Sequence, residues 1–419
     1  MQKLSDILTR LEPCKVLVAG DLLLDRYTIG QAKRVSPEAP VLVLQVESEE
    51  VRPGGAGNVM LNLLSLGAEV VAIGRVGKDP SGMVLKHLLE ENGIETGFVV
   101  EEEGYLTPTK NRLIADRQQL TRVDHERNTT LSARLQEELI KQIDLALVGC
   151  SAIALSDYGK GFLTDPLIAT LIQKGKALGI PVIVDPKGHH YQKYAGCTLI
   201  KPNKKEAIEV SPLKGQHPIE AHGEALLRFL DAEALLITLG EEGSALFKRN
   251  QATQAFPVMK REVRDVTGAG DTVLAALTVA LACGLSFEEA VFLGNIAAGL
   301  AVERFGCARI SLSDISYYLL KEHHTSKIFD TSHLFALKAA LKGKNYHLVH
   351  LKSAETLTTE FLSTLRQIKK SGELLLVHPE TPQPALLEHL VCLEMVDGVL
   401  LGDEIDTLIE LCPNKLISF

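Results

Sequence analysis

Short apolar runs alternate with helix-like stretches over most of this chain, and that alternation constrains the fold more than any other feature. The runs are rich in Val, Ile, Leu and Ala, as expected of strands buried on both faces. The strand candidates are Lys15–Ala19, Val70–Arg75, Ala152–Ser156, Val182–Asp185, Leu199–Lys201 and Leu235–Leu239. The helix candidates between them are Gly57–Leu66, Ser81–Asn92, Ala133–Leu147, Asp165–Leu178 and Ala221–Phe229. This order predicts an α/β fold with a mostly parallel central sheet covered by helices on both faces.

Two segments depart from this alternation. Val41–Val51 and Thr109–Val123 place apolar and polar residues at period two, which is typical of half-exposed antiparallel strands. They could form a small accessory sheet, a lid over a site. Edge strands of the main sheet are the alternative that the pattern leaves open.

The length of 419 residues indicates two domains. A polar segment, Lys321–Ser326, is the candidate linker, and we place the domains at residues 1–320 and 327–419. The second region continues the α/β pattern but has only the size of a small domain.

Composition excludes several classes of protein. The net charge of −9 argues against a general nucleic-acid-binding protein. No apolar run reaches the ~18 residues of a membrane span, and Met1–Arg10 lacks the apolar core of a signal peptide. The seven cysteines include no C-x-x-C pair, which disfavours zinc and indicates free thiols. We therefore expect a cytoplasmic protein that binds neither nucleic acid nor membrane.

The segment Asp265–Thr272 (DVTGAGDT) opens a small, apolar helix. Glycines at a helix start allow a ligand to approach closely, and the unpaired amides there favour an anion. Asp271 beside them is unfavourable near an anion unless it handles a proton. An anion cradle next to a base is what phosphoryl transfer to a hydroxyl requires. The alternative is a capped helix start with flexible glycines.

Two earlier segments carry groups suited to a sugar. Pro53–Asn58 (PGGAGN) lets backbone approach a ligand and ends on an amide side chain, although a tight turn capped by Asn58 would look the same. Asp21 and Asp25 follow the first strand, and carboxylates accept well from sugar hydroxyls. A helix cap and a surface salt bridge are the alternative for this pair.

Cations and polar groups suited to phosphate follow in three places. Lys110, Arg112, Arg117 and Arg122 lie on the lid candidate at mixed parity, so they form a phosphate pocket only if they share a face. Asp185–Gly188 and Lys201–Glu206 follow adjacent strands and suit a triphosphate with its metal. Ordinary solvated loops are the alternative reading of all three.

In this order, these pieces resemble the ribokinase-like (PfkB) sugar kinases over residues 10–315. Gly54–Asn58 looks like the N-terminal signature of that family, Asp265–Thr272 like the C-terminal one, and Ile237–Gly243 lies between them. The resemblance implies a three-layer ribokinase-like sandwich with a small β lid. It also implies ATP and Mg²⁺, with transfer of the γ-phosphoryl group to an anomeric hydroxyl.

A narrower resemblance concerns the substrate. Five stretches look like the D-glycero-D-manno-heptose 7-phosphate kinases, the kinase half of a bifunctional enzyme that makes ADP-heptose for lipopolysaccharide. They are Arg34–Val41, Lys110–Leu113, Gln118–Asp124, Leu155–Gly161 and Asp185–Gly188. Another ribokinase-like kinase, for ketodeoxygluconate or fructose 1-phosphate, and a non-catalytic binding or scaffold protein remain the alternatives.

The resemblance also implies residue roles. Asp271 would be the base, and the backbone amides of Gly268, Ala269 and Gly270 would hold the transferring charge. The sugar would be bound by Asp25, Gly54, Gly55 and Asn58, and its phosphate by Lys110, Arg112 and Arg122. The nucleotide would contact Lys187, Asn203, Glu206, Thr238, Gly240 and Gly243. Glu206 is the metal candidate, and a homodimer through the lid strands is implied.

The second domain departs from the bifunctional pattern. Its relatives carry a nucleotidyltransferase with a His-x-Gly-His motif, whereas Lys327–Leu337 retains only His333. Val396–Val399 and Ala336–Leu341 look like vestiges of that fold. We expect a degenerate nucleotidyltransferase-like domain at 327–419 that is structural or contacts another chain. Cys307 also stands where the subgroup usually has Thr, with a local effect on hydrogen bonding.

Overall fold

The structure, a computed structural model, describes residues 2–116, 118–258, 263–304, 306–322, 327–329, 337, 341, 345–352, 358–369, 374–401 and 415–418. It divides into two compact units. The large unit is Pro13–Ile310, and the small unit combines Met1–Glu12 with Ser311–Phe419. The sequence placed the division at 321–326, where residues 323–326 lie outside the described residues.

The strands of the large unit are β1 (Lys15–Gly20), β2 (Leu22–Val35), β3 (Leu42–Gly55), β4 (Glu69–Gly77), β5 (Glu95–Glu102), β6 (Thr109–Ala115), β7 (Gln118–His125), β8 (Ala152–Ser156), β9 (Val182–Asp185), β10 (Leu199–Ile200), β11 (Ala234–Thr238), β12 (Ser244–Lys248) and β13 (Gln254–Phe256). The helices are α1 (Gln2–Thr9) in the small unit, then α2 (Ala56–Ser65), α3 (Pro80–Glu91), α4 (Ala133–Ala146), α5 (Asp165–Leu178), α6 (Lys204–Val210), α7 (Ile219–Leu230), α8 (Ala269–Ala282) and α9 (Phe287–Val302) in the large unit.

The main sheet of the large unit has the strand order β13-β12-β11-β10-β9-β8-β1-β4-β5. Every neighbouring pair from β11 to β5 is parallel, and only β12 runs antiparallel to its neighbours. The inner strands are apolar along almost their whole length because helices cover both faces. All six predicted strands belong to this sheet, and the predicted α/β fold is confirmed.

The two period-two segments belong to a separate four-stranded sheet of order β3-β2-β6-β7, which we call the lid. The alternative that they are edge strands of the main sheet is therefore wrong. Thr109–Val123 is also not one strand, because the chain turns at Asp116, where φ is 48°. The long strand β2, antiparallel to β3 and parallel to β6, carries Asp25 into the lid.

The small unit contains a parallel sheet of β14 (Ile328–Phe329), β15 (Tyr346–Leu351), β16 (Leu374–Pro379), β17 (Gly398–Leu400) and β18 (Lys415–Ser418), in the order β14-β17-β16-β15-β18. Its later helices are α10 (Leu312–Glu322), α11 (Thr359–Lys369) and α12 (Pro384–Cys392). Val349, Leu365 and Leu390 belong to its apolar core. His333 lies outside the described residues. Within the described ranges, no helix is long and apolar enough to cross a membrane.

Candidate active site

The turn before α8 is built around the side chain of Asp265. One carboxylate oxygen accepts from the backbone N–H and the hydroxyl of Thr267 (2.9 and 2.7 Å), and the other accepts from the Gly306 amide (2.8 Å). Gly268 then caps the helix with a φ of 79°, a backbone angle that residues with a side chain rarely adopt. The Ala269 amide donates to Val266 at 3.3 Å, whereas the Gly268 and Gly270 amides meet no carbonyl of the described residues. These two amides are therefore the ones that an anion can use.

Asp271 lies in the first turn of α8 and is only 5% exposed. Its two oxygens accept different hydrogen bonds, from the Tyr158 hydroxyl (2.6 Å) and from the Asn58 amide (2.7 Å). Burial raises the pKa of this carboxyl to about 6, and the two hydrogen bonds limit the rise. A buried carboxylate that titrates near pH 6 has the properties of a general base at neutral pH.

The glycine segment before α2 packs against the two aspartates that follow β1, against the carboxylate of Asp25 and the backbone of Asp21. A Cβ on Gly54 would overlap an oxygen of Asp25, and one on Gly55 would lie 2.6 Å from the Asp21 carbonyl. The φ of Gly55 is 58°, which also favours glycine. These glycines are thus required by the protein's own packing, in addition to any ligand. They place Asn58 on α2, where it reaches Asp271.

Asp25 and Arg112 form a close, largely buried ion pair between β2 and β6. The strand register aligns Arg52, Asp25, Lys110 and Asp124 in one row across the lid. These four residues therefore share one face of the sheet. The Lys110 ammonium lies 5.7 Å from the centre of the Tyr158 ring. Lys110 and Arg112, two of the predicted phosphate cations, are therefore on the same face of the lid as Asp25.

The remaining lid cations differ in how they are paired. Arg122, on β7, forms two hydrogen bonds to Asp124 (2.8 and 2.9 Å). Arg117 lies outside the described residues. Arg112 and Arg52 each lie 5.3 Å from the centre of the Tyr27 ring.

A cavity of about 280 Å³ between the lid and α2 is lined by Arg52, Pro53, Asn58, Leu61, Cys307, Ala308 and Arg309.

The predicted nucleotide residues meet at the carboxyl ends of β9, β10 and β11. Asn203 caps α6 together with Glu206, in a reciprocal capping box, and also forms a β-bridge with Thr238. Each oxygen of Glu206 accepts one hydrogen bond, from the Lys187 ammonium (2.6 Å) and from the backbone N–H of Asn203 (3.1 Å). Each oxygen of Glu206 therefore keeps one acceptor direction, and its role as a metal ligand stays a prediction.

The glycines of the next loop have positive φ values, 63° at Gly240 and 98° at Gly243. They bracket a single 3₁₀ turn after β11. Nearby, Lys201 pairs with Asp185 at 3.0 Å, and a Cβ on Gly270 would lie 3.6 Å from the same ammonium. Lys201, which belongs to the predicted phosphate segment Lys201–Glu206 but received no role of its own, thus connects the nucleotide loops with the start of α8.

Sequence reasoning also missed the contact of Tyr158 with Asp271. Tyr158 belongs to the stretch Leu155–Gly161, which carried the narrower resemblance but received no role. Asp21 was paired with Asp25 as a sugar ligand. Instead, its buried carboxylate accepts the backbone N–H groups of Tyr158, Lys160 and Phe162. The only sequence signal for this contact is that Asp21 directly follows β1 and Tyr158 follows β8 by two positions, so both lie at strand ends.

Solved structures share this fold. Phosphofructokinase-2 from Escherichia coli, in complex with potassium, superposes with a TM-score of 0.59 at 22% identity, covering 73% of this chain and 97% of that one. Arabidopsis thaliana ribokinase, complexed with ribose and ATP, superposes with a TM-score of 0.56 at 20% identity, covering 73% and 98%. The predicted ribokinase-like fold is thereby confirmed.

The sheet, the lid and the buried acid at the tip of α8 define a sugar-kinase architecture. The chain belongs to the pfkB family of carbohydrate kinases, whose model matches residues 15–314. It is an ATP-dependent carbohydrate kinase, as the sequence predicted.

The relatives narrow the comparison further. "Bifunctional protein HldE" from Geotalea uraniireducens is 37% identical over 437 residues, covering 100% of this chain and 88% of the relative. The protein of the same name from Nitratiruptor sp. is 37% identical over 418 residues, covering 95% and 88%. The similarity therefore extends into the small unit.

Proposed function

We propose that the protein transfers the γ-phosphoryl group of ATP to the anomeric hydroxyl of D-glycero-D-manno-heptose 7-phosphate, in ADP-heptose and lipopolysaccharide core biosynthesis. The observation that carries this proposal is the Asp271 carboxylate, buried beside the open amides of α8 and held by Asn58 and Tyr158. Full-length similarity to HldE proteins and the heptose-kinase-like stretches support the choice of sugar.

Asp271 would take the proton of the attacking hydroxyl. With a pKa of about 6, most of the carboxyl is ionised at pH 7, as a base must be. The Gly268 and Gly270 amides, with Ala269 between them, would stabilise the charge that develops on the transferring group. Asp25, Gly54, Gly55 and Asn58 remain our candidates for the sugar, and Asn58 is the one that donates directly to Asp271.

The substrate phosphate would be bound by the cations of the lid. Lys110 and Arg112 lie on the same face as Asp25, and Arg122 lies opposite Arg112 on the edge strand β7. Arg112 is partly neutralised by Asp25, so Lys110 supplies more of the free positive charge. Arg52 and Arg309, which both line the 280 Å³ cavity, are two further cations within this region.

The nucleotide would bind over Lys187, Asn203, Thr238, Gly240 and Gly243, at the carboxyl edge of the main sheet. Mg²⁺, when bound, would neutralise phosphate charge. The donor set fits an ion carried mainly by the nucleotide, because the described residues contain no group of three or more His, Cys, Asp or Glu that could hold a metal. Glu206 remains our candidate for contact with such an ion, since each of its oxygens accepts one hydrogen bond and keeps a second acceptor direction.

A homodimer through the lid completes the proposal. Val35, Val41, Leu42 and Val46, all on or beside the outer end of β2 and β3, are each more than half exposed. An apolar cluster of this kind marks an interaction surface. For the small unit, we propose a degenerate nucleotidyltransferase-like domain at 327–419 without adenylyl transfer.

Purified protein, ATP and Mg²⁺ with a panel of sugars test the substrate. The panel contains heptose 7-phosphate, fructose 1-phosphate, fructose 6-phosphate and ketodeoxygluconate, and both ADP release and the ³¹P spectrum of the product are followed. We expect the highest kcat/KM with heptose 7-phosphate and a product with two phosphates. Preference for another sugar would overturn the choice of substrate, and no ADP release with any sugar would overturn the kinase reading.

Asp271→Asn tests the mechanism. The substitution keeps the size of the side chain but removes the base, whose usual contribution is ~10²–10⁴-fold in rate. We expect kcat to fall by that amount while the circular dichroism spectrum stays unchanged. Near-normal kcat in a folded variant would contradict the role of Asp271.

A further inference from the structure

We propose that Tyr158 is a positioning residue for phosphoryl transfer: its hydroxyl orients the Asp271 carboxylate and keeps it ionised, and Asp21 fixes the loop that carries it. This inference rests on the proposed role of Asp271 as the base. Tyr158 acts through Asp271 and needs no contact of its own with the sugar.

The geometry of the carboxylate is the first observation. Tyr158 donates to one oxygen of Asp271 at 2.6 Å, and Asn58 donates to the other at 2.7 Å. Each carboxylate oxygen can accept about two hydrogen bonds. The two donors therefore fix the plane of the carboxylate and leave one acceptor direction on each oxygen for a substrate hydroxyl.

The loop that delivers Tyr158 is the second observation. The Asp21 carboxylate, 2% exposed, accepts from the Tyr158, Lys160 and Phe162 amides at 2.9, 3.0 and 3.2 Å. Asp157 accepts in addition from the Gly159 amide (2.7 Å) and the Tyr194 hydroxyl (2.6 Å). Two buried carboxylates thus bind four backbone amides of the six-residue segment 157–162. In a solvent-exposed loop, water would satisfy these amides instead.

The hydroxyl of Tyr158 remains a donor under all assay conditions. Burial and the neighbouring Asp271 charge raise the pKa of Tyr158 well above its usual value, so it does not ionise. Its ring lies beside Lys110, whose ammonium is 5.7 Å from the ring centre.

The charges around Asp271 come from several elements. Asp185 at the end of β9 raises the pKa of Asp271, whereas Lys201 after β10 lowers it. Cys307, whose pKa is raised to about 12, stays a neutral thiol. Among these groups, Tyr158 and Asn58 are the two that donate directly to the carboxylate, so the loss of either leaves a desolvated charge with a single donor.

Tyr158→Phe removes only the hydroxyl. A hydrogen bond to a charged group is worth enough to move a pKa by about one to two units. We expect the acid limb of kcat/KM to move from about pH 6 to about pH 7–8. Activity at pH 7 should fall about two- to tenfold and recover at pH 9, with little change in KM for ATP.

Tyr191→Phe is the matched control. The Tyr191 hydroxyl is buried, has no hydrogen-bond partner within the described residues and makes no hydrogen bond to Asp271. This variant should keep the wild-type pH profile. A Tyr158→Phe profile that overlays the wild type, or a loss of activity that is equal at every pH, would overturn the proposal.

One further measurement separates this proposal from the proposed function. Carboxyl ¹³C shifts of labelled protein, with the Asp271 signal assigned by its absence in Asp271→Asn, report the pKa of that group without any sugar. An unshifted pKa in Tyr158→Phe overturns the role of Tyr158 whatever the acceptor. If instead Asp271→Asn stays active while the carboxyl pKa of Tyr158→Phe rises, the assignment of the base fails and the hydrogen bond stands.

Discussion

Burial sets the pH at which Asp271 can accept a proton. Moving a carboxylate out of water favours its neutral form, so the pKa rises from 3.8 to about 6 in spite of two donors. A base must be ionised, and protonation therefore removes activity as the pH falls. We predict that kcat/KM declines about tenfold per pH unit below pH 6. A profile from pH 4.5 to 9, with stability checked at each pH, measures this, and a limb near pH 4 would contradict it.

Gly54 offers a second residue-scale prediction, because its missing side chain makes room for Asp25. Gly54→Ala would place a methyl group against that carboxylate and against Leu23. We expect Asp25 and its partner Arg112 to move, with kcat/KM for the sugar at least tenfold lower. Gly97→Ala is the control, since a Cβ there meets nothing within 4 Å. Equal activity of the two variants would show that the Asp25 position tolerates displacement.

At the scale of elements, the lid combines a charged face with an apolar outer end. The face carries Asp25, Lys110 and Arg112, and the outer end exposes three valines and Leu42. The main sheet positions α8, whereas Asp25, the proposed sugar ligand, lies on these added strands.

We predict that Val46→Asp dissociates the proposed lid dimer, because a carboxylate would have to be buried in an apolar contact. Leu145→Asp is the matched control, since Leu145 on α4 is 68% exposed and away from the lid strands. Light scattering after size exclusion gives the mass of each protein. We expect a dimer for the wild type and for Leu145→Asp, and a monomer for Val46→Asp. A monomeric wild type, or a dimeric Val46→Asp, would refute the lid interface.

At the scale of the whole molecule, all proposed site residues lie within the large unit, Pro13–Ile310. The large unit has its own apolar core between the sheet and helices such as α4, α5 and α7. If the tail is only accessory, a chain ending at Glu322 should keep kcat/KM within about twofold of the value for the full-length chain. Activity and thermal unfolding of both chains test it. A soluble, folded but inactive short chain would assign the tail a part in catalysis.

The order of strands and helices was readable from the sequence alone, because period and apolar length are local properties. The glycine segment at Gly54 and the start of α8 near Asp271 were predicted for the same reason, since backbone freedom and helix starts depend on neighbouring residues. The hairpin of β6 and β7 was not recognised, because a period-two pattern shows a strand but not its partner.

Only the tertiary structure determined which side chains meet. Asn58 and Asp271 are 213 positions apart, and Tyr158 and Asp271 are 113 apart, so no local pattern could reveal their hydrogen bonds. The same holds for Asp25 with Arg112, and for the anchoring of the Tyr158 loop by Asp21. Sequence thus determined the elements and the family of this kinase. Packing determined the charge state and orientation of its proposed base, because these depend on burial and on partners brought together only by folding.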